Sequence, residues 1–125
     1  MLPFQIDFRP GIPASEQLVY AVKKAVISGL LAPGDRFPSV RALSQELRIN
    51  PNTAHKAVAA LVAEGLLEVV PGVGTSVTQG RPAPSRQERG ALLGGEVEKL
   101  VVEAKRMNLG LEDVQRAVEE HWKKL

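Results

Sequence analysis

The feature that most constrains this chain is the helix start at Asn50-Pro51. Asparagine is a favoured N-cap residue because its side-chain oxygen accepts a hydrogen bond from a first-turn amide. Proline suits the first helical position because its missing N–H would have no helical partner there. The pair therefore predicts a helix from residue 51, which Gly65 would end. Its predicted buried face repeats at helical spacing and comprises Ala54, Ala57, Val58 and Leu61.

Two more helices are predicted before this one. The first begins near Ser15 as its N-cap and ends at Ser28-Gly29, with an apolar stripe at spacings of three and four. The second begins after Ser39, a good capping residue, and ends near Arg48. Ahead of them, Phe4–Phe8 alternates apolar and polar residues, which predicts a short strand.

A β-hairpin is predicted after the third helix. Two β-prone runs, Leu67–Val70 and Thr75–Thr78, flank the turn-forming tetrapeptide Pro71-Gly72-Val73-Gly74. The order of three helices followed by a hairpin is that of a winged helix-turn-helix. We therefore predict a mainly α fold with a small β-hairpin, followed by further helices near the C-terminus.

Composition excludes several classes of function. The chain has no cysteine, and its histidines, His55 and His121, are far apart, so no metal or other cofactor is expected. We find no nucleophile–base pair and no phosphate-binding loop, so we predict that the protein is not an enzyme. No apolar run reaches membrane-spanning length and no signal peptide is evident, which predicts a cytoplasmic protein without a membrane partner.

The start of the third helix carries the residues best suited to DNA. A helix-turn-helix places its second helix in the major groove, where the first turn reads base edges. That turn contains Asn52, Thr53, His55 and Lys56, whose side chains can pair with adenine or bind phosphate. The alternative is that they are ordinary solvated residues of a helix start.

Other candidate contacts are on the preceding helix and at the hairpin tip. Arg41 lies in the first turn of the helix that crosses the DNA backbone in this motif, and Arg36 is a weaker candidate just before it. Gly72 and Gly74 leave the tip without bulk, so its backbone could approach a minor groove or a phosphate. The alternatives are a solvated arginine and glycines that serve only the turn.

Four sequence blocks resemble the DNA-binding domain of GntR-type bacterial transcription regulators. They are Pro38-Ser39-Val40-Arg41-Ala42-Leu43, Asn50-Pro51-Asn52-Thr53, Glu64-Gly65-Leu66-Leu67 and Gly72-Val73-Gly74-Thr75. The resemblance covers about residues 12–78 and implies a winged helix-turn-helix that binds operator DNA as a homodimer. Carried over by position, it implies DNA contacts at Ser39, Arg41, Asn52, Thr53, His55, Lys56, Gly72 and Gly74. The chain departs from the family pattern at Ala54, His55, Pro71 and Ser76.

The C-terminal region is predicted to associate with a second copy. Residues 80–95 contain two prolines and four glycines, which indicates a linker or a frayed helix start, so we divide the chain into residues 1–79 and 80–125. Two apolar stripes at helical spacing follow, one on each side of Asn108-Leu109-Gly110. The residues predicted to form the dimer are Leu93, Val97, Leu100, Val101, Ala104, Met107, Val114, Val118 and Trp122. The alternative is that the stripes pack on the chain's own first domain.

The short C-terminal region is similar to that of the YtrA-like subfamily, in which two helices form a dimerisation arm. This resemblance implies a transcription regulator, in particular a repressor, that often controls a transporter operon. A two-fold dimer predicts an inverted-repeat operator of double-stranded DNA. The alternative is a winged-helix module that binds proteins and no DNA. Nothing in the sequence identifies a small-molecule effector.

Overall fold

The computed structural model describes residues 2–80 and 83–125. It divides into two compact units, Met1–Arg81 and Pro82–Leu125. The N-terminal unit contains, in chain order, α1 (Ala14–Ile27), α2 (Val40–Leu47), α3 (Pro51–Ala63), β1 (Leu67–Val70) and β2 (Gly74–Val77). The C-terminal unit is helical. The predicted fold class, a winged helix-turn-helix followed by helices, is confirmed.

The core of the N-terminal unit forms where α1 and α2 pack on α3 and where α3 meets β1. The predicted buried face of α3 is confirmed, because all four of its apolar residues lie within the core. On α2, Leu43 is fully buried, while Val40 and Leu47 at the predicted inward positions are partly buried. The largest fully buried side chains are Leu18, Val22, Leu31, Leu43, Leu61, Leu67 and Val77.

The predicted N-cap of α1 is wrong. The helix begins at Ala14, and Pro13 rather than Ser15 occupies the cap position. The carbonyl oxygen of Pro13 accepts hydrogen bonds from the amides of Glu16 and Gln17, at 3.1 and 3.2 Å. Ser15 instead lies inside the first turn and is buried. The predicted end at Ser28-Gly29 is confirmed, with Gly29 in the left-handed region at a φ of 87°.

The predicted strand at Phe4–Phe8 is also wrong, although its alternation is real. Phe4 is buried and stacks on Phe37, with ring centroids 6.1 Å apart, while Gln5 and Asp7 are exposed. No described strand pairs with this segment. Its end is held instead by Gln17, whose side-chain amide exchanges two 2.8 Å hydrogen bonds with the backbone of Arg9. The alternation therefore predicted correctly which side chains face the core. It could not show whether a second strand lies beside the segment to form a β-ladder.

The caps of α2 and α3 are as predicted. Ser39 Oγ accepts a hydrogen bond from the amide of Ala42 at 3.1 Å, and Asn50 Oδ1 accepts one from the amide of Asn52 at 2.8 Å. The helix α2 ends at Leu47, and Arg48, its C-cap near the predicted end, adopts the left-handed conformation with a φ of 55°. Only three residues therefore separate α2 from α3.

The hairpin forms with a slight offset from the prediction. Leu67 pairs with Val77 and Val70 pairs with Gly74 in an antiparallel register. β2 therefore begins at Gly74 and ends at Val77, one residue earlier than predicted at each end. Thr78 lies just beyond the end of the strand, although its amide still donates to the carbonyl of Leu66, the residue opposite it in the hairpin register, at 3.1 Å.

In the C-terminal unit most of residues 83–95 follow the second of the two predicted possibilities, a helix start rather than a linker. Helical backbone begins at α4 (Arg86–Gly90), continues through a π-helical turn (Ala91–Glu96) and runs on as α5 (Val97–Arg106). The reason is Ser85, whose Oγ caps the chain by accepting a hydrogen bond from the amide of Glu88 at 3.1 Å. The linker prediction at residues 81 and 82 lies outside the described residues.

The last helix, α6 (Leu111–Lys124), follows a short turn in which Asn108 has a φ of 59°. The turn matches the predicted break between the two apolar stripes. Most side chains of α5 and α6 are exposed, while Ala104 is buried and Val114 is partly buried. None of the described helices is both long and apolar enough to cross a membrane.

Candidate nucleic-acid interface

The first turns of α3 present polar side chains away from the core. Asn52, His55 and Lys56 are exposed, and Thr53 is partly buried. The core side of the same turns is formed by Ala54 and its apolar neighbours, so the polar residues occupy the opposite side of the helix. Asn50 is exposed too, but its side-chain oxygen is engaged in the cap. This start of α3 therefore combines free first-turn side chains with the positive end of a helix dipole.

The start of α2 presents a second polar group. Arg41 and Ser39 are both exposed. The Ser39 hydroxyl accepts the capping hydrogen bond from Ala42, which leaves its own O–H free to donate. The carbonyl of Arg41 accepts a 3.0 Å hydrogen bond from the hydroxyl of Ser44, which fixes the backbone beneath the guanidinium. A cation and a hydroxyl donor therefore lie within one turn of each other.

The tip of the hairpin, here called the wing tip (residues 71–74), is open. Gly72 and Gly74 have φ values of 76° and 119°, a region that other residues rarely adopt, and no atom lies within 4 Å of where a Cβ would stand. The turn is closed by the amide of Val73, which donates to the carbonyl of Val70 at 3.0 Å. The glycines are therefore required by the turn, and they also leave its backbone accessible.

The wing and the start of α2 are brought together by a backbone segment alongside β2. The amide of Phe37 donates to the carbonyl of Thr75, and the amide of Val77 donates to the carbonyl of Asp35, both at 2.8 Å. Because this pairing is antiparallel, the chain runs from Asp35 toward the Gly74 end of β2 and then enters α2. The start of α2, with Ser39 and Arg41, thus lies at the wing-tip end of the hairpin.

Two cations of this region, Arg41 and Lys56, lack an acidic partner within the part of the chain that the structure describes. By contrast, Lys23 on α1 pairs with Glu64 at 3.0 Å. Within residues 2–80 and 83–125, no cluster of acidic or histidine side chains is suited to a metal ion. The site can therefore offer hydrogen bonds and positive charge to an anionic polymer.

The predicted dimerisation residues lie in the C-terminal unit, most of them exposed. Val114 is partly buried and Ala104 is buried at 5%. Trp122, at 82%, is the most exposed of the large apolar side chains in the described chain. The other predicted residues are exposed, namely Leu93, Val97, Leu100, Val101, Met107 and Val118. Most of the two apolar stripes is therefore exposed.

Comparison with known proteins identifies the fold. Residues 14–77 match the family described as bacterial regulatory proteins of the gntR family. This chain belongs to the GntR family. The matched residues span α1 through β2, the same elements that carry the candidate interface. The resemblance read from the sequence blocks is therefore confirmed.

Sequence similarity to one GntR-family protein extends beyond residues 14–77 into the C-terminal unit. The chain is 30% identical over 116 residues to the transcriptional repressor YtrA of Bacillus subtilis (strain 168), covering 93% of this chain and 89% of YtrA. Its fold matches that of a transcriptional antiterminator from Listeria monocytogenes EGD-e, with a TM-score of 0.82 and 24% identity, over 94% of this chain and 88% of that one. The first comparison confirms the resemblance to the YtrA-like subfamily.

One of the similar solved structures is a complex with DNA. The AraR(DBD) structure in complex with operator ORX1 matches with a TM-score of 0.54 and 26% identity, over 59% of this chain and 95% of that one. Together with the family match, this makes the chain a DNA-binding transcription regulator. The relatives are regulators and not enzymes, as expected from the absence of catalytic motifs.

One residue beside the site, Arg36, has a backbone position that was not predicted from its local sequence. Arg36 forms an isolated antiparallel bridge with Ser76, so its backbone runs alongside β2. The signal was the pair Arg36-Phe37, an exposed residue followed by a buried one, which is typical of an extended segment at a sheet. The other candidate contacts, on α2, on α3 and at the wing tip, lie where the sequence placed them.

Proposed function

We propose that this protein is a homodimeric repressor that binds an inverted-repeat operator through residues 1–79 and dimerises through residues 80–125. It would act on chromosomal DNA in the bacterial cytoplasm. The observation that carries the proposal is the start of α3, where Asn52, His55 and Lys56 are exposed opposite the core. A helix of this kind in a helix-turn-helix enters the major groove with its N-terminal residues against the bases.

The side chains divide by the chemistry they offer. Asn52 presents an amide that can pair bidentately with adenine, and Arg41 presents a fork suited to guanine or phosphate. Lys56 is a point charge suited to phosphate, and His55 can donate to a base edge or to phosphate. The remaining proposed contacts complete the interface as small donors or open backbone, namely Ser39, Thr53, Gly72 and Gly74.

The proposed dimer rests on the uncovered stripes of the C-terminal unit. Leu93, Leu100 and Trp122 are each at least 45% exposed, which leaves a large apolar surface on the helices of this unit. Burying apolar surface contributes about 25 cal/mol per Å². A second copy covers these stripes most simply, because a two-fold dimer uses the same surface on both subunits. The residues proposed for the contact are Leu93, Val97, Leu100, Val101, Ala104, Met107, Val114, Val118 and Trp122.

Repression and the class of target are proposals drawn from likeness to YtrA, which is described as a transcriptional repressor. A dimer seated across a promoter would block access of RNA polymerase. The YtrA-like resemblance extends the proposal to a transporter operon as the target. The protein requires no cofactor for this mechanism, since base and phosphate contacts are made by side chains and backbone.

The test is selection of bound DNA from a random double-stranded pool, at physiological salt, with the full chain. We expect enrichment of an inverted repeat whose half-site centres are separated by about 34 Å or a multiple of it. The double variant Asn52→Ala/His55→Ala serves as the matched control, because it alters base-reading groups on the exposed side of α3. Failure to enrich any sequence would contradict the proposal and favour a protein-binding module. Enrichment of a single unrepeated half-site would contradict the dimer.

A further inference from the structure

The wing carries no cation of its own. Between Lys56 and Arg81 the sequence has no lysine or arginine, and the charged residues in that interval are Glu64 and Glu68. The wing tip can therefore offer a phosphate its backbone amides but no formal positive charge. Phosphate neutralisation supplies much of the affinity of a protein for DNA. A cation that serves this side of the interface must come from a neighbouring segment.

Arg36 is held against the wing by its backbone. It bridges to Ser76 in an antiparallel sense, and the flanking hydrogen bonds from Phe37 to Thr75 and from Val77 to Asp35 are both 2.8 Å long. The backbone of residues 35–37 therefore runs beside β2 through one antiparallel bridge and its two flanking hydrogen bonds. These hydrogen bonds fix the position of the Arg36 backbone relative to the wing.

The pairing also determines the side of the sheet on which Arg36 lies. Ser76 is opposite Glu68 on one side and opposite Arg36 on the other, so the three form a row across the sheet. Residues directly opposite each other in antiparallel strands share a face. The adjacent pair of Leu67 and Val77 is fully buried and faces the core, so this row lies on the outer face.

The side chain of Arg36 is exposed and unpaired in the described chain. Glu68 stands in the same row, yet the two form no ion pair, and Ser76 is buried between them. The guanidinium is therefore available to an outside anion. The segment that carries it leads directly into α2 and Arg41, so it borders the candidate interface.

We propose that Arg36 binds a backbone phosphate of the operator beside the wing and acts as the cation that the wing lacks. This inference rests on the proposed function, since it requires DNA to lie along α3 and the wing. Its contribution is independent of base sequence, because a phosphate contact carries no direct sequence information. Arg36 thereby fixes the position of the wing on the duplex.

The experiment measures the affinity of the full chain for its selected operator and for random duplex over a range of salt concentrations. Arg36→Gln should weaken both, on the order of threefold to tenfold at physiological salt, and flatten the salt slope by about one for each protomer. Arg36→Lys should restore most of the slope. Arg86→Gln, which removes the same charge from α4 in the other unit, should leave the slope unchanged.

Glu68→Gln provides a second measurement with the opposite sign. If a phosphate approaches this row, removal of the carboxylate should strengthen binding, and Arg36→Gln should oppose that gain in the double variant. An unchanged slope in Arg36→Gln, or an equal loss in Arg86→Gln, would overturn the inference. Absence of operator binding by the unmodified chain would instead be a failure of the proposed function. Circular dichroism and urea unfolding of each variant establish that the fold is retained.

Discussion

The backbone amide of Phe37 donates a 2.8 Å hydrogen bond to the carbonyl of Thr75, and this contact joins the wing to the start of α2. The ring of Phe37 is buried against that of Phe4. One residue thus anchors the segment between α1 and α2 by its side chain and aligns the wing by its backbone. The relative placement of Arg41 and the wing tip depends on this anchor.

Shortening the Phe37 side chain should destabilise the N-terminal unit. Phe37→Ala removes a buried ring and leaves a cavity, which costs about 3–5 kcal/mol of unfolding free energy, and Phe37→Leu should cost less. Urea unfolding followed by circular dichroism measures both. Leu30→Ala is the control, because Leu30 is 65% exposed and should change stability by less than about 0.5 kcal/mol. Equal effects at the two positions would contradict the anchor.

Asn50 offers a way to separate capping from DNA contact. Asn50→Ala should lower stability by about 1 kcal/mol, because the first-turn amide of Asn52 loses its acceptor. Asn50→Asp should retain stability, since aspartate is an equally good cap, but it should weaken DNA binding because a carboxylate then faces phosphate. Thermal unfolding and a DNA-binding titration are the two measurements. Unchanged DNA affinity in Asn50→Asp would mean that the start of α3 does not approach the duplex.

Arg41 is predicted to read or clamp the operator. Arg41→Ala should cost about 1–3 kcal/mol of operator binding if the guanidinium contacts a base, with relaxed specificity at one position of each half-site. Titration against operators with single base changes measures that loss of discrimination. Arg86→Ala is the control for loss of an exposed arginine. Binding equal to that of the unmodified chain would refute a DNA contact by Arg41.

Lys56 is predicted to contact a phosphate. Lys56→Ala should weaken binding to operator and random DNA by the same factor and lower the salt slope by about one for each protomer. Lys105→Ala on α5 removes another exposed helical lysine and should have no such effect. A loss confined to the operator would assign Lys56 to base reading instead.

The apolar stripes of α5 and α6 are predicted to hold the dimer together. Leu100→Glu combined with Val118→Glu should yield monomers, because two carboxylates would be buried without partners at the interface. Light scattering coupled to size exclusion measures the mass. Lys99→Gln combined with Arg116→Gln gives the same change in net charge and should remain dimeric. Persistence of the dimer in the first variant would place the interface elsewhere.

The parts of the fold that were predictable are those set by residues close in sequence. Asn50-Pro51 and Ser39 start helices because cap and amide are two or three residues apart. Ser15 misled the reading of α1, since it is a good capping residue type, but packing buries it and Pro13 supplies the acceptor. The glycines at 90, 94 and 95 suggested a linker, yet the cap at Ser85 allows helical backbone to run through them.

The parts that were not predictable depend on contacts between distant residues. Phe4–Phe8 alternates like a strand, and only the surrounding fold shows that neither of the described strands pairs with it. The candidate DNA contacts could be chosen one by one from their helix starts. Their grouping could not, because the pairing of Phe37 with Thr75 that brings α2 to the wing joins residues far apart in the chain.

The buried ring of Phe4 has a practical consequence for anyone who trims this protein. The family match begins at residue 14, so a fragment cut to that limit would appear complete on a sequence map. It would nevertheless lack Phe4, whose ring stacks on that of Phe37. It would also lack Leu2 and Ile6, which pack against the core. Such a fragment would keep every proposed DNA-contacting residue, but the core that positions these residues would be less stable.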